Sequence, residues 1–446
     1  MTNLLASPWI PTAVLVLLAL AARLLSRSWL APSAFVALLW SAFVWISMLA
    51  ADYPIYASAI WLIVLLVFVL QLGAFIGESI HCERPSRMIR EEREASNEGT
   101  LNRRVLRCSA LLSIIALGGA AYFVFWSLRR FDLPVSLISF FELGHLLSVQ
   151  YAEYGDIEPW LVRLTIMWVY PAALLGGIAF ASAASRKTRL LSLWPFLPSL
   201  LVGSIVAARS GVLFSFICWI SGYFGLRNWQ SNGRYPLFRR RLVLVLAVLG
   251  VAVVILFVLV DALRQSGDEQ TVELALDSQR FVKYTFGSLS AFSSWFHQYA
   301  PGNSALGAYT FGGILELLGM HRREIGLYEN FVTLSGGLET NIYTVFRGLI
   351  EDFTLAGAVS INLVVGIISG MLLSFPSQKT WTPIVFGSAY YAFILGSPIT
   401  SIFTYNGLLL AWVIGALVLR SHFRSAGIRI SAATWDNPSS AIRIRH

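Results

Sequence analysis

Charged residues are scarce in this chain. Asp, Glu, Lys and Arg make up 13% of its 446 residues, whereas hydrophobic residues make up 57%. A soluble globular domain carries about a quarter charged residues, so the composition excludes a soluble enzyme or binding module. Cysteine is also rare, and the 3 cysteines have neither the spacing of a metal site nor that of a disulfide framework.

Common catalytic signatures are missing as well. The sequence contains no HExxH-type metal motif, no phosphate-binding glycine loop and no recognisable nucleophilic triad, so we expect neither a metal nor a cofactor. No basic patch is interleaved with aromatic residues, so we expect no nucleic-acid partner. Residues 1–8 lack the basic leader of a cleavable signal peptide, and the first apolar run is expected to remain as a membrane span.

Long apolar runs dominate the sequence instead. Each must cross about 30 Å of hydrocarbon, where backbone amides can pair only within helices or closed barrels. The runs are too long and alternate too little for barrel strands. The sequence therefore predicts an all-α, polytopic integral membrane protein with about 11 transmembrane helices, at about 8–24, 30–50, 54–78, 106–128, 160–184, 190–208, 211–226, 242–263, 354–374, 382–402 and 404–420.

The distribution of basic residues orients these spans. The positive-inside rule places most of the 33 Lys and Arg residues in the cytoplasm if the N-terminus is outside and the C-terminus is cytoplasmic. The net charge of +9 is then explained by topology and by contact of the protein with the anionic lipid bilayer. The predicted organisation is transmembrane helices 1–8 within 1–263, a cytoplasmic loop at 81–105, an external loop at 129–159, a large external loop at 264–353, transmembrane helices 9–11 within 354–420 and a cytoplasmic tail at 421–446.

Basic residues on the external side are candidates for binding an anionic ligand. Arg209 lies in a tight turn between two apolar runs, in the segment AARSG. An arginine at the membrane edge is costly unless it meets water, a carboxylate or a phosphate, and a guanidinium group matches phosphate oxygens in a bidentate manner. Arg280 and Lys283 are three residues apart and share a helical face, and Arg347 follows later in the same loop.

Acid–base and sugar-stacking candidates lie in the same external loop. His297, Glu339 and Asp352 are candidates for a general base, although Asp352 could equally cap the N-terminus of the ninth span. Glu316, His321 and Glu351 belong to the same class of residue. The aromatic residues are of the kind that stack on sugar rings and equally suit a membrane–water interface; they are Trp295, Phe296, Tyr299, Tyr309, Phe311, Tyr328 and Phe331.

Four segments between about 200 and 360 carry a resemblance to a known family. They are AARSG, QRFVKYTFGSLSAF, ALGAYTFGGILELLG and TNIYTVFRGLIEDFTLAG. Together they resemble the oligosaccharide repeat unit polymerases, the Wzy-type O-antigen and exopolysaccharide polymerases. The family's late motif has the sense Asn-x-Tyr-Thr, a short helix, then Asp-Phe-x-x-x-Gly. It corresponds here to Asn341, Tyr343, Thr344, Asp352, Phe353 and Gly357.

The resemblance implies a GT-C-like membrane glycosyltransferase on the periplasmic face of the bacterial inner (plasma) membrane. Its donor would be an oligosaccharide on undecaprenyl pyrophosphate, and its acceptor a sugar hydroxyl of a second such unit. No cofactor is implied, and a chain-length regulator protein is a further candidate partner. Arg209 and Arg280 would bind the pyrophosphate, supported by Lys283 and Arg347. Asn341, Tyr343 and Thr344 would position acceptor hydroxyls, and His297, Glu339 or Asp352 would take the acceptor proton.

Three alternatives stay open from the sequence. An O-antigen ligase shares the architecture and the chemistry of a polymerase. A flippase or transporter for a lipid-linked oligosaccharide would have polar residues lining mid-membrane positions of several helices, whereas here they concentrate on one side of the membrane. A structural scaffold would need neither the external arginines nor the late motif.

Overall fold

The computed structural model describes the backbone of residues 7–50, 54–80, 91–154, 158–205, 209–233, 278–302, 304–320, 328, 331–333, 339–374 and 380–435. The helices are α1 Trp9–Ser26, α2 Pro32–Ala50, α3 Ala57–Ile80, α4 Glu91–Arg130, α5 Leu137–Tyr154, α6 Trp160–Ile166, α7 Val169–Ser182, α8 Arg186–Leu191, α9 Phe196–Ile205, α10 Arg209–Gln230, α11 Ser278–His297, α12 Gly312–Leu317, α13 Val345–Leu373, α14 Thr382–Gly396 and α15 Asn406–Trp435. Strands β1 (Val332–Thr333) and β2 (Glu339–Thr340) pair in antiparallel fashion.

Within this described part, 7 helical stretches are long and apolar enough to cross a membrane. They are Trp9–Ser26, Pro32–Ala50, Ala57–Ile80, Leu101–Arg130, Trp160–Ser182, Val345–Leu373 and Asn406–Ser425. Each overlaps a span expected from the sequence, so the prediction of a helical, multi-pass membrane protein is confirmed. The total of about 11 spans stays a prediction, because the segment 242–263 lies outside the described residues.

Three sequence expectations differ from the structure. The expected span 190–208 is not one continuous helix: the chain forms α8 and α9, of 6 and 10 residues, with turns between them. Part of the expected cytoplasmic loop 81–105 is helical, because α4 already begins at Glu91. The all-α expectation is nearly right, but the short β1–β2 hairpin lies in the expected external loop.

Glycines allow α3 and α13 to pack at unusually short range. A methyl group at Gly73 would collide with the carbonyl oxygen of Leu363, and one at Gly366 would collide with that of Leu70. Lipid tails are as apolar as leucine side chains, so membrane helices associate mainly through such close backbone packing. This contact fixes α13, which carries most of the late motif.

Helix α13 is broken at Thr354. This residue has φ 64° and ψ 174°, a conformation that is almost restricted to glycine. The break separates a buried segment of α13 before Thr354 from the apolar segment that follows, which coincides in position with the expected span 354–374. The carbonyl groups that the break deprives of helical partners are bound by a neighbouring loop: Glu351 O accepts from Ala305 N at 3.0 Å and Asp352 O from Leu306 N at 3.2 Å.

Candidate functional site

A cavity of about 410 Å³ opens beside the break in α13. Its rim consists of exposed residues and its base is formed by the buried Ile350 and the half-buried Glu351. Aromatic side chains form much of its wall. The described residues that line it are Trp295, Gln298, Tyr299, Ala300, Gly302, Ala305, Tyr309, Ile350, Glu351 and Thr354. Its volume lies within the range typical of small-molecule sites, about 300–1,000 Å³.

One wall of the cavity is held by the carboxylate of Asp352. Its Oδ1 accepts a hydrogen bond from Tyr309 N at 3.1 Å, and its Oδ2 accepts one from Thr310 N at 2.6 Å. The carbonyl groups of the same two residues accept hydrogen bonds from the hydroxyls of Thr404 and Ser401, at 2.8 and 2.7 Å. The backbone that carries the Tyr309 ring is therefore fixed on both sides.

Another part of the lining belongs to the C-terminal end of α11. Two serines anchor this helix: Ser288 donates to Pro398 O at 2.7 Å, and Ser293 accepts from Tyr56 N at 2.7 Å. Beyond these anchors, the rings of Trp295 and Tyr299 pack against each other with centroids 5.1 Å apart. Tyr299 lies two residues beyond the end of α11, where its amide donates to Phe296 O at 3.2 Å, and both rings line the cavity.

Behind the cavity lies a buried ion pair surrounded by aromatic rings. Arg347 Nε donates to Glu351 Oε1 at 2.9 Å, and these side chains are 5% and 20% exposed. The guanidinium carbon lies 3.9 Å from the ring centroid of Tyr328, 4.0 Å from that of Tyr343 and 5.3 Å from that of Trp295. Such cation–π contacts stabilise a desolvated guanidinium group. The carboxylate is thus the member of the pair nearer to the cavity.

The same cluster orients the Tyr309 ring. Tyr309 stacks on Tyr328 with centroids 4.9 Å apart and an interplanar angle of 17°. Burial raises the pKa of the Tyr328 phenol well above its ordinary value, and the nearby Glu351 carboxylate raises it further, against the opposing effect of Arg347. Burial also raises the pKa of the Tyr343 phenol. Both phenols are therefore neutral near pH 7, and the cluster contains one buried cation paired with one carboxylate.

The structure brings several predicted site residues together at the start of α13. Tyr343 is buried in the aromatic cluster, and Asn341 Nδ2 donates to Tyr328 O at 3.3 Å. Thr344 is the residue immediately before α13, and the next amide, that of Val345, donates to Ser397 O at 2.8 Å. Thr344 occupies the N-cap position of α13, but its side chain accepts no capping hydrogen bond. The Asp352 carboxylate accepts from Tyr309 N and Thr310 N and not from amides of the segment after Thr354, so the interpretation of Asp352 as the N-cap of the ninth span is wrong.

Other predicted residues lie apart from the cavity lining. His297 ends α11, is exposed and stacks on Tyr56 with centroids 3.9 Å apart. Glu339 is exposed on β2. The backbone places Arg209 at the first position of α10 and both Arg280 and Lys283 in the first half of α11; their side chains lie outside the described ones, so their expected contacts with pyrophosphate stay predictions.

Among the polar lining residues, Glu351, Gln298 and Thr354 are not favoured candidates in the sequence. By residue type, Glu351 is only one of several general acid–base candidates. The signal available in the sequence was its spacing of four residues from Arg347, which is the separation at which oppositely charged side chains meet on a helix. Gln298 gave no signal, because it faces the cavity only as a consequence of where α11 ends.

Within the described part of the chain, no group of three or more His, Cys, Asp or Glu side chains could hold a metal ion. No protein-family model matches the chain, and no curated protein or solved structure matches it either.

Proposed function

We propose that this protein is a membrane glycosyltransferase that polymerises undecaprenyl-pyrophosphate-linked oligosaccharide repeat units on the periplasmic face of the bacterial inner membrane. The observation that carries the proposal is the aromatic-walled cavity beside the broken helix α13. The segment that carries the family-like motif, from Asn341 to Gly357, contributes Ile350, Glu351 and Thr354 to its lining. The resemblance and the cavity thus converge on one place in the molecule.

The composition of the cavity suits a sugar. Pyranose rings have apolar C–H faces that pack on aromatic rings, and hydroxyl edges that need hydrogen-bond partners. The walls offer the rings of Trp295, Tyr299 and Tyr309 for the first purpose. The Gln298 amide and the Glu351 carboxylate offer polar partners for the second. Aromatic rings combined with a few fixed polar groups are typical of small-molecule sites.

In the proposed reaction the acceptor hydroxyl attacks the anomeric carbon of the donor sugar. A new C–O bond forms, the bond to the pyrophosphate breaks, and the pyrophosphate leaves with the electron pair. The acceptor proton passes to a carboxylate or to water. The charge that develops on the pyrophosphate needs fixed cations, and we assign this role to Arg209 and Arg280, with Lys283 in support. Arg347 instead holds the Glu351 carboxylate and the aromatic wall.

The broken helix also favours a second candidate, a transporter of the same lipid-linked oligosaccharide. Substrate sites in many transporters are formed by discontinuous helices, and irregular backbone at membrane depth is tolerated where it is buried in protein or lines a water-filled cavity. Helix α13 breaks at Thr354, a residue that lines the cavity.

A polysaccharide gel from a strain lacking the gene separates these functions. If the protein is a polymerase, the ladder of long chains should disappear while surface lipid capped with one repeat unit remains. Long polymer kept on the lipid carrier would identify a ligase instead. Failure of any repeat unit to reach the outer face would identify the transporter. An unchanged ladder would contradict the proposed function altogether.

Two variants of the full chain refine this test in the complemented strain. Arg209→Ala and Arg280→Ala should abolish the polymer at unchanged protein level in the membrane. The matched control is Arg163→Ala, an external arginine by the expected topology whose side chain is 47% exposed; it should leave the ladder intact. A normal ladder in either test variant would show that the arginine replaced in it does not belong to the proposed donor site.

A further inference from the structure

The described part of the cavity lining carries unbalanced charge. Among the described residues that line it, Glu351 is acidic and none is basic. The nearest described cation, Arg347, lies behind the wall and is bound to the Glu351 carboxylate and the surrounding rings. The rim adds only uncharged groups, from Gln298, Ala300, Gly302 and Thr354.

We infer that this cavity is the binding subsite for an uncharged sugar ring, and that it rejects sugars carrying a carboxylate or a phosphate. The inference rests on the proposed function and deepens it. Under this inference the protein has a neutral sugar subsite beside α13 and a separate, cationic site for the pyrophosphate. Glu351 is then the residue that determines the specificity of the subsite.

The rejection of anions follows from electrostatics. An anionic sugar in this cavity would lose part of its hydration and approach a carboxylate of the same sign. Juxtaposed like charges at a partly desolvated site are strongly unfavourable, and such repulsion is a common source of specificity. The buried Arg347 offsets this repulsion only in part, because the Glu351 carboxylate lines the cavity whereas the guanidinium group lies behind it, enclosed by Tyr328 and Tyr343.

The acceptance of neutral sugars follows from preorganisation. The Tyr309 ring is fixed by its stack on Tyr328, and its backbone by the Asp352 carboxylate. The Trp295 and Tyr299 rings are fixed by packing on each other. Stacking surfaces that are already ordered lose little side-chain entropy when a ligand binds, which favours a rigid ring that needs no charge partner.

The test is sugar binding to the full-length protein in lipid nanodiscs, measured by saturation-transfer difference NMR. The probes are two neutral trisaccharides, maltotriose and cellotriose, and the anionic trigalacturonate. At least one neutral probe should bind, and trigalacturonate should bind at least tenfold more weakly. Trp295→Ala should lose the binding of the neutral probe, whereas Trp160→Ala, which removes an indole that is 75% exposed and outside the cavity, should not.

Two further variants test the charge argument. Glu351→Gln should lower the ratio of the affinity for the neutral probe to the affinity for trigalacturonate at least tenfold. Because Glu351→Gln removes a buried partner of Arg347 and could fail to fold, Gln298→Lys provides an independent route: it places a cation at the exposed rim and should create binding of trigalacturonate. Thr333→Lys, which adds the same charge on the exposed part of β1, is the matched control and should leave the preference unchanged.

Equal or tighter binding of trigalacturonate by the unmodified protein would overturn the inference, as would no binding of either neutral probe. Retained neutral binding in Trp295→Ala would show that sugars bind elsewhere. These outcomes are distinguishable from failure of the proposed function. If the ladder is lost in the deletion strain but trigalacturonate binds tightly, only the assignment of the neutral sugar subsite is wrong. If the ladder is unchanged, the proposed polymerase function itself is wrong.

Discussion

Replacing Arg347 tests whether the buried ion pair holds the site together. Its guanidinium group forms a 2.9 Å hydrogen bond with Glu351 and lies about 4 Å from the rings of Tyr328 and Tyr343. Arg347→Met removes all of these contacts and leaves the Glu351 carboxylate without its cation. Removing one partner of a buried pair typically costs about 3–5 kcal/mol, and each desolvated cation–π contact adds about 0.5–2 kcal/mol. We expect a loss of at least about 4 kcal/mol in unfolding free energy, which is the sum of the lower limits for the ion pair and the two closest cation–π contacts.

A double-mutant cycle isolates the pair itself. Glu351→Gln should cost about 3 kcal/mol, because it leaves the guanidinium group buried and uncompensated. The double variant Arg347→Met with Glu351→Gln has no unpaired charge. It should therefore be more stable than the sum of the two single losses implies, by about 2 kcal/mol.

The assay is equilibrium unfolding in mixed micelles with increasing denaturing detergent, followed by circular dichroism. The control cycle uses Arg163 and Glu158, whose Nε–Oε2 distance is 3.7 Å and whose side chains are 47% and 19% exposed. Their coupling should stay below about 1 kcal/mol, because the two groups are farther apart than Arg347 and Glu351 and the arginine side chain is much less buried. Additive losses at Arg347 and Glu351, within about 0.5 kcal/mol, would refute the view that the pair acts as a unit.

Three other predictions concern the backbone around the cavity. Asp352→Ala should lower the unfolding free energy by about 3 kcal/mol, because it removes two charge-assisted hydrogen bonds to the 304–311 loop, and it should increase proteolysis of that loop. Asp352→Asn should lower the unfolding free energy less. Equal losses in the two variants would show that the charge is unimportant. Gly366→Ala should lower the melting temperature because the methyl group collides with the backbone of α3, whereas Gly118→Ala, with open space around it, should not; similar effects would contradict the close packing. Thr354→Gly should raise stability by about 1 kcal/mol by relieving the positive φ, while Thr354→Val should not, and a destabilised glycine variant would argue against strain at the break.

The membrane helices follow from the sequence because lipid is a uniform solvent. A long apolar run that faces lipid must pair its backbone groups internally, so the overlap of expected spans with α1, α2 and α3 needed no tertiary information. The division of the expected span 190–208 into α8 and α9 was not predictable in this way. The aromatic residues Trp295, Tyr299 and Tyr309 could also be recognised as candidates for sugar stacking from their residue types. The convergence of these three residues on one cavity could not be predicted, because it depends on loops that the sequence pattern does not constrain.

The break at Thr354 was decided by the tertiary structure. The sequence offers no proline or glycine at that position, and a β-branched residue is a poor choice for positive φ. The break persists because the amides of Ala305 and Leu306 bind the carbonyl groups that it frees. Those amides come from a segment almost fifty residues away, so no local pattern announces them.

The roles of the neighbouring carboxylates Glu351 and Asp352 were likewise determined partly by the sequence and partly by the tertiary structure. The sequence determined that two adjacent acidic residues lie within the late motif and that an arginine precedes the first of them by one helical turn. Successive helical residues point about 100° apart, so only one could face the cavity while the other faced the 304–311 loop. Which one did so depended on the rotation of the segment of α13 before Thr354. That segment is held by the hydrogen bond from Val345 N to Ser397 O and by those from Ala305 N and Leu306 N to its last carbonyl groups.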